Sequence, residues 1–120
     1  MINKLFSGAF IIAFLSIAVT STAEDAVIAD PKHYTVEFEN DRIRVIRIKY
    51  GPGEKSVMHS HGPNMAVFLT DNKIRMTFPD GTSVETMSKT GGIEWADAEE
   101  HLPANLSGSP LELVIVELKD

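Results

Sequence analysis

The sequence predicts an all-β domain, a sandwich or barrel of about nine short strands. Three observations carry this. Residues 33–120 contain no segment with a strong helical period. They break instead into short runs rich in β-branched and aromatic residues, several of which alternate apolar with polar. Turn residues stand between the runs, as in Asn40-Asp41, Pro79-Asp80-Gly81 and Ser107-Gly108-Ser109-Pro110. At 120 residues the chain has room for one such domain.

The N-terminus is read apart from that domain. Lys4 supplies a positive start, Leu5 to Val19 is an apolar run, and Ser21-Thr22-Ala23 offers the small residues of a cleavage site. The run is shorter than the roughly 20 residues a membrane-spanning helix needs. Residues 1–23 are therefore expected to be a secretory signal, with an uncleaved anchor as the rival reading. Periplasmic or secreted localisation follows, with no membrane attachment after cleavage. Residues 24–32, ending near Pro31, read as a flexible leader, and residues 33–120 as the single domain.

Within the domain, Tyr34 to Phe38 alternates as a half-buried strand does. Ile43 to Tyr50 follows, with Ile46, Ile48 and Tyr50 on one face and Arg47 and Lys49 on the other. Val45 beside Ile46 breaks the alternation, which suggests a bulge or burial on both sides. Met65 to Leu69 is continuously apolar and reads as a strand buried on both faces. Asp71-Asn72 is a tight hairpin signal of the positive-φ type. Ile74, Met76 and Phe78 point inward from the next strand, and a weaker strand carries Val84, Thr86 and Ser88. Ile93-Glu94-Trp95, a segment from His101 to Leu106, and Leu111 to Leu118 complete the series.

Composition removes several function classes. The net charge is −6 and there is no basic run, so nucleic acid is a poor partner. There is no cysteine, which excludes disulfides, thiol catalysis and thiolate metal sites. No Ser-His-Asp arrangement, phosphate loop or paired-carboxylate motif stands out.

The four histidines carry what chemistry remains. His59 and His61 share a strand face, roughly 7 Å apart at the backbone, so their imidazoles can converge on one ion. A His-x-His pair by itself is more often incidental. His101 is a third candidate, and three imidazoles with an open position is a known catalytic arrangement. His33, before the first strand, reads as a surface residue. Glu94, Asp97, Glu99 and Glu100 form an acidic patch beside His101, either a solvated rim or an attraction for cations, and Glu99 or Glu100 is a lesser candidate to reach an ion. Trp95, Phe68, Met76 and Phe78 either line an apolar pocket or fill the barrel.

Spacing adds context. Gly53 is followed by five residues, then His59-Ser60-His61, three residues to Met65, and six more to Asn72. Further on, Ala96, Ala98, Glu99-Glu100, His101 and, after three residues, Asn105 follow one another. Over roughly residues 40–118 this resembles the two motifs of the cupin superfamily, in particular its small single-domain, cupin_2-like members. The first motif runs Gly, five residues, His-x-His, three or four residues, Glu, six residues, Gly. The second runs Gly, five residues, Pro-x-Gly, two residues, His, three residues, Asn. The chain departs from both: Met65 and Asn72 replace the first motif's Glu and closing Gly, the Pro-x-Gly is lost, and Gly91 is one place out of register.

The resemblance implies a double-stranded β-helix, or jelly-roll, barrel with His59, His61 and His101 as metal ligands. The metal would be Fe, Mn, Ni, Cu or Zn. Met65 can donate a thioether, which would favour a soft ion, but methionine fills irregular cores readily and core packing is the expectation. The functions implied are a dioxygenase-type or isomerase metalloenzyme acting on a small organic molecule, or else a non-catalytic module binding a metal or small ligand. A domain with no site is a third reading. A homodimer is also expected, since small cupins resemble dimers that pair sheets.

Overall fold

The computed structural model describes residues 23–120. The expected signal segment, apart from Ala23, lies outside them. Among the described residues no helix is long and apolar enough to cross a membrane.

Among the described residues nine strands follow a single helical turn: α1 (Ala26–Ala29), β1 (Tyr34–Glu39), β2 (Ile43–Tyr50), β3 (His59–His61), β4 (Asn64–Phe68), β5 (Asn72–Thr77), β6 (Ser83–Ser88), β7 (Ile93–Ala96), β8 (Glu99–Asn105) and β9 (Leu111–Leu118). They form two antiparallel sheets, one ordered β1-β2-β9-β4-β7 and the other β3-β8-β5-β6. The all-β expectation holds, and so do most strand bounds.

Alternation decides which residues meet between the sheets. Ile46, Ile48 and Tyr50 of β2 face inward, as do Leu111, Leu113 and Ile115 of β9. Ala66 and Phe68 of β4 join them from the same sheet, and Ile74 closes the core from β5. The broken alternation at Val45-Ile46 is absorbed across the ladder: β1 shifts register between Val36 and Phe38, so the bulge sits in β1. In the Pro79-Asp80-Gly81 turn, Gly81 takes φ +86°, a conformation that a side chain would strain.

Three expectations are corrected. β4 is not buried on both faces, because Met65 and Val67 lie on the outer surface of its sheet while Asn64, Ala66 and Phe68 face in. Asp71-Asn72 does not close a hairpin, since β4 and β5 belong to different sheets and every non-glycine φ is negative among the described residues. The segment 24–32, expected to be a flexible leader, is packed onto the barrel. Ala26 is fully buried, and Ser60 N–H donates to the Glu24 carbonyl at 2.8 Å, covering part of the β3 edge.

Because Ile46 is fully buried in this core, Ile46→Ala should cost about 3 kcal/mol in urea unfolding. Met87→Ala, at a side chain 75% exposed, should cost less than about 0.5 kcal/mol. Equal effects would contradict the packing described.

Candidate metal centre

β3 and β8 pair antiparallel with His59 opposite His101 and His61 opposite Glu99. With a period of two, His59 and His61 point to the same side as His101. All three are buried, and one ring nitrogen from each lies within 4.8 Å of the others. The ring centroids stand 4.7 to 5.1 Å apart. The spacing argument for His59, His61 and His101 therefore brought together side chains that do converge.

Hydrogen bonds fix the ring tautomers of His59 and His101. His59 Nδ1 lies 2.8 Å from the Val57 carbonyl oxygen, which can only accept, so Nδ1 carries the proton and Nε2 presents a lone pair. His101 Nδ1 donates to Glu99 Oε2 at 2.8 Å, which leaves its Nε2 bare as well. For a neutral His61 neither tautomer suits both nitrogens. Its Nε2 is 3.0 Å from His59 Nε2, and its buried Nδ1 has no hydrogen-bond partner, with Glu117 Oε1 at 3.8 Å. A proton on Nε2 leaves a bare Nδ1 facing a carboxylate, while a proton on Nδ1 sets two lone pairs against each other. A shared cation removes the conflict. Two nitrogens about 2.1 Å from one ion, at right angles, stand about 3.0 Å apart. The residues present fit a transition-metal ion.

Burial, followed by the neighbouring His61 and His101, pushes the His59 pKa down to about 3. Burial and His61 likewise lower that of His101, against the pull of Glu99. Neutral imidazoles are the metal-binding form. Glu117 moves the other way from what burial alone would do: the approach of His61, Arg44 and the Gly62 N–H outweighs desolvation and keeps its pKa below the ordinary carboxylate value. Arg44 Nη2 donates to Glu117 Oε1 at 2.8 Å, and Gly62 N–H to Oε2 at 3.1 Å.

Sequence reasoning missed several contributors. Glu117 was read only as part of the last strand, although it falls on the inward stripe of Leu111, Leu113 and Ile115; a carboxylate on that stripe was the available signal. His33 is not a surface residue. It is buried, donates from Nδ1 to Asp30 at 2.6 Å and stacks on Tyr50 with 4.5 Å between ring centroids. Asp30 also accepts from Ser56 Oγ at 2.6 Å, and Ser56 Oγ lies 3.2 Å from His59 Nδ1. Nothing in the local sequence marked that chain of contacts. Tyr34 packs edge-on against His59, at 4.7 Å, and is hydrogen-bonded to Tyr50. Burial raises its pKa well above the ordinary phenol value, so it stays neutral.

Met65 is corrected on both counts. It is neither a ligand nor a core residue, because it lies on the outer face of β4, 37% exposed, and pairs there with Trp95. Taking the four-residue spacing of the first motif instead puts Ala66 at the glutamate position, and Ala66 faces inward. Of the acidic patch, Glu99 holds His101, and Glu100 accepts from Ala23 N–H at 2.8 Å.

A cavity of about 220 Å³ opens beside the histidines. Ile48, Phe68, Ile74, Met76, Phe78 and Leu113 form much of its wall, while Trp95 lies outside on the far face of its sheet. His61 and His101 reach its surface, as do Glu94 and Glu99, and among the described residues no lysine or arginine does.

Solved structures with this architecture are cupin-domain proteins. A cupin domain from Bordetella pertussis Tohama I superposes with a TM-score of 0.67 at 26% identity, covering 72% of this chain and 92% of that one. An RmlC-like cupin family protein from Methanocaldococcus jannaschii, with a double-stranded β-helix fold, gives 0.55 at 18%, over 74% and 83% of the two chains. A double-stranded β-helix protein from Klebsiella pneumoniae subsp. pneumoniae MGH 78578 gives 0.54 at 22%, over 69% and 72%. No family model matches the chain, and no curated protein does. The fold is the cupin double-stranded β-helix.

The lowered His59 pKa makes a signed prediction. Between about 6.5 and about 3 the unfolded chain takes up a proton that folded His59 refuses. Stability from this source is complete above about pH 6.5 and is lost as pH falls toward 3. After chelation, the melting temperature should drop from about pH 7 to about pH 5, and drop less steeply in His59→Gln. Identical pH profiles for the two proteins would contradict the assignment.

Proposed function

We propose that this cupin-fold protein holds one divalent transition metal through His59, His61 and His101, and presents it to a small organic molecule in the adjoining cavity. The observation that carries this reading is the convergence of three buried imidazoles, with His61 Nε2 3.0 Å from His59 Nε2 and the buried His61 Nδ1 without a hydrogen-bond partner among the described residues. Iron, nickel, copper and zinc suit imidazole donors, whereas manganese prefers oxygen ligands and is the least favoured of the five.

Bound there, a redox-active ion would supply oxygen activation of the dioxygenase type, and zinc would supply Lewis-acid polarisation. The chain's own residues do the rest. Glu99 and Glu117 stand behind His101 and His61, favouring Nδ1–H and a ring orientation with Nε2 forward. The aliphatic and aromatic wall excludes water from the ligand. The lining offers an anionic ligand no cationic side chain, and Glu94 and Glu99 repel it, so the reading favours an uncharged, mostly apolar molecule. A non-catalytic role as a metal-dependent binding module would use the same centre and is separated by turnover.

The untested expectations follow as proposals. Export to the periplasm or exterior rests on the N-terminal segment alone. A homodimer is proposed across the outer face of the five-stranded sheet, where Met65, Val67, Ile93, Trp95, Val114 and Val116 form one apolar surface over adjacent strands. Trp95→Glu should convert a dimer to a monomer in sedimentation equilibrium; a wild-type monomer would remove the proposal.

Metal analysis tests the main reading. The purified protein should carry about one equivalent per chain, and His59→Ala, His61→Ala and His101→Ala should each fall below about a tenth. Oxygen uptake with neutral phenolic or diketone compounds then separates enzyme from binding module. Wild-type protein without metal, unable to bind added ion, would overturn the proposal.

A further inference from the structure

The segment before β1 carries two aspartates, and each leads to a different histidine of the cluster. Asp30, buried near the start of the barrel, accepts from Ser56 Oγ at 2.6 Å, and Ser56 Oγ lies 3.2 Å from Nδ1 of His59. Asp25 accepts from Arg44 Nη2 at 2.5 Å. The same Nη2 donates to Glu117 Oε1 at 2.8 Å, and that oxygen is 3.8 Å from Nδ1 of His61. Between the aspartates, Ala26 is fully buried, and the Glu24 carbonyl takes the N–H of Ser60, the residue separating the two histidines.

We propose that residues 24–30 are a strap belonging to the metal centre, in which Asp30 acts on His59 through Ser56 and Asp25 acts on His61 through Arg44 and Glu117. Both aspartates are positioning residues. The proposal rests on the metal reading above and adds to it a segment outside the strands that bear the ligands. A four-residue helix cannot persist by itself, so α1 depends on its anchors. Asp25 caps it, accepting from Val27 N–H at 3.0 Å, and Asp30 ends it. The Asp25 carboxylate that caps the helix also accepts from Arg44, whereas Asp30 closes it with its backbone N–H on the Ala26 carbonyl at 2.8 Å and turns its carboxylate to Ser56. Docking of the strap and orientation of the imidazoles are thus one event. The relays end on the Nδ1 side of both rings, with Ser56 Oγ 3.2 Å from His59 and Glu117 Oε1 3.8 Å from His61, where polar groups orient the ring and strengthen the opposite nitrogen as a donor.

The test uses the full-length chain, cobalt(II) as probe, and the variants Asp25→Ala, Asp30→Ala, Asp30→Asn and Ser56→Ala. Each alanine variant should weaken cobalt binding roughly ten-fold or more and shift the visible cobalt bands. Asp30→Asn, which keeps an acceptor for Ser56, should recover most of the affinity. If Asp30→Ala does not fold, Ser56→Ala decides, since it removes only the relay. Wild-type affinity and unchanged bands in the alanine variants would overturn the proposal, even with a lowered melting temperature. Should the wild type bind no cobalt, the metal reading fails separately. The imidazole nitrogen resonances of the metal-free protein then decide: displaced His59 and His61 signals in the Asp30 and Asp25 variants support the strap, and unchanged signals overturn it.

Discussion

The register of β3 against β8 is the constraint on which the site depends. His59 opposite His101 puts three imidazoles on one side of a two-stranded ladder. A slip of one residue would turn His101 to the opposite face and leave two histidines facing a glutamate. A three-residue strand cannot hold register by itself. Its hold comes from neighbours: the Lys55–Ala104 bridge and the Ser56 N–H bond to the Pro103 carbonyl continue the pairing beyond β3, and the strap pairs with Ser60 from the other side. Much of the apparently irregular chain around the barrel's first motif serves this one alignment.

Placing three imidazoles in a desolvated pocket has an electrostatic consequence. Burial and mutual repulsion keep His59 and His101 from protonating. A cation would therefore meet neutral donors in His59 and His101, and the negative charge that offsets it stands one contact further away. Glu99 lies behind His101, Glu117 behind His61, and Asp30 behind Ser56 and His59. Carboxylates at that distance favour the cation without occupying its coordination positions. Arg44 keeps Glu117 from being an unpaired buried charge, which would otherwise be costly.

The strands were legible because alternation and turn chemistry are local signals. Ile46, Ile48 and Tyr50 could be assigned to one face from spacing alone, and so could Ile74 and Met76. The three converging histidines were legible for the same reason, helped by the distance between two motifs. What could not be read was non-local. Asp30, Ser56, Arg44 and Glu117 acquire meaning only when segments far apart in sequence come together. His33 looked exposed because nothing nearby in sequence showed that Tyr50 would stack on it. Met65 was misplaced because the motif allows two spacings. Strand parity resolves them, since a residue flanked by inward-facing Asn64 and Ala66 must face out.

That parity also bears on chemistry. On the inner face of β4 the position next to the histidines is held by Asn64 and Ala66, and neither supplies a carboxylate. Asn64 is itself engaged, its Nδ2 donating to the Gly62 carbonyl at 2.9 Å. The inner end of β4 thus gives the centre space and no charge. Under the proposed reading, an ion held by His59, His61 and His101 would gain no charge compensation from β4, and the cavity beside it has a largely apolar wall with Glu94 and Glu99 at its surface. The carboxylates near the cluster stand instead one contact behind the rings, in Glu99, Glu117 and Asp30.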